Sequence, residues 1–67
     1  MDVRRRLGGN MRRLREAKGW SQEEFAERAG LHRTYVSGVE RGIRNPTVTV
    51  LAKLASALEC SIGSLAD

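Results

Sequence analysis

Arg33, Thr34, Ser37 and Arg41 put two guanidinium groups and two hydroxyls into the short stretch "RTYVSGVER". A guanidinium fork suits paired acceptors such as guanine O6 and N7, and a hydroxyl can meet either kind of base edge. That chemistry is recognition rather than bond breaking. His32 is the sole imidazole and Cys60 the sole thiol, so neither finds a second residue of its kind with which to build a metal site. Glu40 and Glu59 have no spacing that makes them an acid pair, and no nucleophile, base and orienting group fall together. An enzyme, a metal, a cofactor and a small-molecule substrate are therefore not expected, and Cys60 reads as small apolar filler.

These residues must be carried by a helix. With Arg33 at zero and about 100° per residue, Ser37 falls at about 40°, Arg41 at about 80°, Thr34 at about 100° and Gly38 at about 140°. Tyr35, Val39 and Val36 follow at about 200°, 240° and 300°. The stretch is thus two-faced: the valines and part of Tyr35 belong to a core, and Arg33, Thr34, Ser37, Gly38 and Arg41 face outward. Gly38 in a helix interior costs about 1 kcal/mol relative to alanine. The expectation is that it lets a groove-shaped ligand approach the backbone, or else allows a tight helix crossing.

The surrounding elements are also helical. Val3, Leu7, Met11 and Leu14 mark one face of a first helix running to about Lys18, weakened near its start by Gly8 and Gly9. Ser21 to Glu24 matches a capping box and opens a second helix with Phe25, Ala26 and Ala29 inward. The two-faced helix begins near His32 or Arg33 and ends at Gly42. Asn45 and Pro46 make a turn, Thr47 caps a fourth helix with Val48, Leu51, Leu54, Ala55 and Leu58 inward, and Ser61 caps a last turn carrying Ile62 and Leu65. Gly19, Gly30 and Gly42 each follow a helical stretch, where a left-handed residue is needed. No stretch alternates with period two, so the fold is expected to be all-α.

At 67 residues the chain has room for a single domain, 1–67, with one small core. The net charge is +4 and it is segregated: +5 over residues 1–18, −2 over 19–30, +2 over 31–46 and −1 thereafter. A basic balance of this kind suggests an anionic partner. Arg4, Arg5 and Arg6 read equally as a solvated start or as DNA contacts. No apolar run approaches the length of a membrane span, and no signal-type stretch follows the first arginines. The expected compartment is a reducing cytoplasm, with no membrane partner.

Three motifs, "RRLREAKGWSQEEFAERAG", "LHRTYVSGVERGIRNPT" and "LAKLASALECSIGSL", make the chain from about Met11 to Leu65 resemble the lambda-repressor-like, Cro/XRE-type helix-turn-helix family. "RTYVSGVER" is also similar to the small controller regulators of restriction-modification operons. The resemblance implies a compact five-helix domain whose second and third helices form the helix-turn-helix, with the third as reader. It implies that Arg33, Thr34, Ser37 and Gly38 face bases and that Gln22, Arg41, Arg44 and Asn45 hold phosphates. Tyr35 either adds a phosphate bond or packs in the core. Arg15 and Glu40 match a structural ion pair, and His32 departs from the usual caps, so the third helix should be less firmly capped.

The implied partner is double-stranded DNA, read as a pseudo-palindromic operator by a homodimer that regulates transcription. Val50, Ile62 and Leu65 are the expected dimer surface. The alternative is a protein-interaction module of the antitoxin type with autoregulatory DNA binding. Such proteins often carry an extra segment, and none follows Asp67 in this sequence. RNA binding is disfavoured by the shortage of exposed aromatics for stacking.

Overall fold

The computed structural model describes residues 2–67. Five helices follow one another: α1 Val3–Ala17, α2 Gln22–Ala29, α3 Arg33–Glu40, α4 Val48–Leu58 and α5 Ile62–Ala66. There is no strand among the described residues. Phe25, Met11, Leu54, Leu65, Val36 and Val39 are fully buried and join residues from every helix into one cluster. No helix among the described residues is long and apolar enough to cross a membrane.

Hydroxyl caps start three of the helices. The Glu24 amide donates to Ser21 Oγ at 3.0 Å, Val50 N to Thr47 Oγ1 at 3.2 Å, and Ser64 N to Ser61 Oγ at 3.1 Å. The capping box forms by half. The Glu24 carboxylate accepts instead from Arg28 Nε and Nη2, a partner one turn ahead on the same helix face. Asp2 caps α1, and His32 stands before α3 without a side-chain cap bond.

Four helices also end alike. After α1, α2, α3 and α4 the residues Gly19, Gly30, Gly42 and Glu59 have positive φ, and the next amide donates back to a carbonyl five residues earlier. Glu59 is the one without glycine's freedom, at φ 56°. The residue after the turn packs on the core in three cases, as Trp20, Leu31 and Cys60. Ile43 is the exception, at 59 % exposure.

Two apolar positions expected inside lie outside. Val3 is 70 % and Val48 is 73 % exposed, because each begins its helix and projects past the neighbour on which the later turns pack. Helix α1 runs through Gly8 and Gly9 without a break, and Gly8 has a packing role. A Cβ there would collide with the carbonyl oxygens of Val39 and Glu40, so the glycine is what lets α1 cross the end of α3.

Candidate nucleic-acid interface

Helix α3 packs against α2 on one side and α1 on another, which buries Val36 and Val39 and leaves the opposite face to solvent. Arg33, Thr34 and Arg41 are exposed and Ser37 is half-buried. Arg44 and Asn45 are exposed in the connection that follows. Pro46 is buried there and anchors that connection.

Charge pairing divides the cations of the surface into two groups. Arg4, Arg12, Arg15, Lys18 and Arg28 all have carboxylate partners. Among the described residues Arg33, Arg41 and Arg44 have none, and neither do Arg5, Arg6 and Arg13 on α1 or Lys53 on α4. Unpaired cations close together repel one another and are stabilised by an anion brought from outside. The acidic groups Glu23, Glu24 and Glu27 lie exposed on α2, so negative charge gathers on α2 while Arg33, Arg41 and Arg44 gather on α3 and the residues just after it.

Behind the face lies a buried polar cluster. Arg15 Nε donates to Glu40 Oε2 at 2.7 Å and Arg15 Nη2 to Oε1 at 3.1 Å. Arg15 Nη1 donates to the Trp20 carbonyl at 2.7 Å. Gln22 Nε2 donates to Glu40 Oε1 at 3.0 Å. The hydrogen bond to Glu40 raises the Arg15 pKa, against the lowering effect of burial. Gln22 is therefore held by the end of α3, and one proton of its amide group remains to meet a phosphate.

Two expectations are corrected by these positions. Gly38 is buried, because the Arg44 side chain lies over it: a Cβ on Gly38 would sit 2.9 Å from Arg44 Cγ. The glycine does not open the helix backbone to a ligand, nor does it serve a crossing with another helix. Leu65 has no exposed surface and fills the core between α1 and α4, so it is not available to a second protomer. Ile62 is 38 % exposed and Val50 half-buried. Tyr35 is half-buried against the core, as its packing role requires, with the Arg44 guanidinium 5.5 Å from its ring centroid.

Two features of the site had no clear sequence signal. Gln22 binding Glu40 joins residues 18 apart in sequence, and no local pattern marks it. Arg5 packs across Gly42, where a Cβ would lie 2.9 Å from Arg5 Cγ. That contact brings the basic start of α1 against the connection carrying Arg41, Arg44 and Asn45.

A five-helix core whose second and third helices form a helix-turn-helix, with Arg33, Arg41 and Arg44 exposed on and just after the third, defines a DNA-binding type of domain. Residues 11–65 match the helix-turn-helix family HTH_3. The chain belongs to that family, the Cro/XRE type of DNA-binding transcription regulator. It is 51 % identical over 61 residues to the HTH-type transcriptional regulator y4dJ of Sinorhizobium fredii, covering 91 % of this chain and 79 % of that one. It is 46 % identical over 65 residues to the control protein C.SmaI of Serratia marcescens, covering 97 % and 77 %. The crystal structure of the restriction-modification controller protein C.AhdI from Aeromonas hydrophila superposes with a TM-score of 0.89 at 47 % identity, covering 92 % of this chain and 90 % of that one.

Proposed function

We propose that the chain is a transcriptional regulator that binds a pseudo-palindromic operator as a homodimer, with α3 of each protomer in the major groove. The observation that carries this is the surface formed by the outer face of α3 and the connection after it: Arg33, Arg41 and Arg44, none with a carboxylate partner, beside Thr34 and Ser37 on the side turned away from α1 and α2. Arg33, Thr34 and Ser37 read bases; Gln22, Tyr35, Arg41 and Asn45 hold the flanking phosphates. A single short helix reads too few base pairs to choose one operator, and a twofold dimer doubles the readout on half-sites about one helical turn apart. Ile62 and Val50 offer apolar surface for that association. Likeness to C.SmaI and C.AhdI supports control of a restriction-modification operon in the cytoplasm.

Selection of bound duplexes from a random pool tests the proposal. A recovered sequence with inverted symmetry, bound by two chains in sedimentation analysis, is the expected result. A pool that gains no consensus would refute sequence-specific reading. A consensus without symmetry, bound by one chain, would refute the dimer.

A further inference from the structure

Arg44 is attached to α3 twice. Its amide donates to the Gly38 carbonyl at 3.1 Å, an oxygen that also takes the Ile43 amide at 2.9 Å. Its side chain then turns back along the helix, so that a Cβ built on Gly38 would lie 2.9 Å from Arg44 Cγ, 3.1 Å from Cδ and 3.3 Å from Nε. The stem rests on the bare Gly38 backbone and the guanidinium reaches the Tyr35 ring, 5.5 Å from its centroid. Ile43, the residue between, faces outward instead of packing on the core as its three counterparts do.

We infer that Gly38 is a positioning residue which seats Arg44 against α3, making Arg44 a second base-reading guanidinium rather than a loop anchor for phosphate. Gly38 and Tyr35 stand at one edge of the outward face and Arg33 at the other, about 140° and 200° round the helix from it. Seated there, Arg44 and Arg33 flank Thr34 and Ser37 from opposite sides. A loop arginine ordinarily loses much rotamer freedom on binding. Arg44 has given up much of that freedom in the free protein, and no carboxylate competes for its charge. Any side chain larger than hydrogen at position 38 occupies the seat. This inference rests on the proposed DNA reading, and it adds a residue pair that reading did not assign.

Two measurements test it. In the free protein, Arg44 δ and ε proton resonances are expected upfield of their ordinary positions through the Tyr35 ring current. They return toward those positions in Gly38→Ala and in Tyr35→Leu. Unshifted resonances in the wild type, or an unchanged spectrum in Gly38→Ala, overturn the seating without reference to DNA. The second measurement is affinity for the selected duplex and for a scrambled one. Gly38→Ala and Arg44→Ala each lose about tenfold on the selected duplex, and the double variant loses no more than Arg44→Ala alone. Arg44→Lys keeps the charge without the fork, and so loses on the selected duplex while holding wild-type affinity for the scrambled one. Equal losses on both duplexes, or additive losses in the double variant, overturn base reading by a seated Arg44. A wild type that prefers no duplex sinks the proposed function itself and is seen before any variant is made.

Discussion

Arg15 and Glu40 meet through two hydrogen bonds with side chains 10 % and 3 % exposed, and the same carboxylate receives the Gln22 amide. A buried pair of this kind adds little over a well-packed apolar pair, but removing one partner strands the other, at a cost of about 3 to 5 kcal/mol. Arg15→Ala is therefore expected to lower the melting temperature by more than about 10 °C in a domain of this size. The double change Arg15→Met with Glu40→Leu recovers most of that loss, while the preferred DNA sequence stays the same. Calorimetry of the three proteins checks this, and an Arg15→Ala protein melting with the wild type would remove the pair from the account.

The pH dependence of the pair follows from the raised Arg15 pKa. A cation whose folded pKa exceeds its unfolded value contributes fully below the unfolded value and is lost only as pH rises through the folded one. The Arg15 contribution is thus expected to persist through mildly alkaline pH. The stability difference between wild type and Arg15→Ala, followed by urea titration, should stay constant from neutral pH to about pH 9. A difference that shrinks across that interval would assign the effect to another group.

Adjacent glycines in α1 are expected to respond in opposite directions to the same substitution. Around Gly9 a Cβ meets nothing within 4 Å, so Gly9→Ala gains about 0.5 to 1 kcal/mol through helix propensity. At Gly8 the obstacle is the backbone of α3, which cannot swing aside as a side chain could. Gly8→Ala is expected to lose about 1 to 3 kcal/mol through overpacking. Denaturant midpoints at equal slopes provide the comparison.

That contrast shows where the sequence was readable. The caps at Ser21, Thr47 and Ser61 and the turns at Gly19, Gly30 and Gly42 depend on neighbours within a few residues, and they stand where local chemistry put them. Gly8 and Gly9 have the same local pattern, and only the partner helix distinguishes them. Val48 carries the apolar period of α4 but has no helix opposite it. Leu65 and Ile62 look alike as apolar residues of one short turn, yet Leu65 alone reaches the core. The ring of partners around Glu40 could be read in part, since family resemblance supplied Arg15, but the Gln22 bond depends on how α2 meets the end of α3.

Readers and anchors on the outward face separate by salt and sequence. Arg33→Ala is expected to lose about 1 to 3 kcal/mol on the selected duplex and to relax base choice at one position. Arg41→Ala weakens selected and random duplexes alike and lowers the salt slope by about one unit. Binding titrations at several salt concentrations give both quantities. If the two variants behave alike on both duplexes, the division between them is wrong.

The dimer surface can be separated from the core within α5. Leu65 is fully buried, and Asn10 Nδ2 donates to its carbonyl at 2.9 Å, so both its side chain and its backbone tie α5 to the monomer. Leu65→Ala should cost about 2 to 5 kcal/mol of stability. Ile62 lies on the outer side of the same turn, and a lysine there could keep its ammonium in water without disturbing Leu65. Ile62→Lys is expected to leave the melting temperature of dilute protein unchanged. In sedimentation equilibrium it shifts the population to monomer, and on DNA it weakens the full operator more than an isolated half-site. Association unaffected by Ile62→Lys would move the dimer surface away from α5. A collapse in stability would mean that Ile62 belongs with Leu65 in the core.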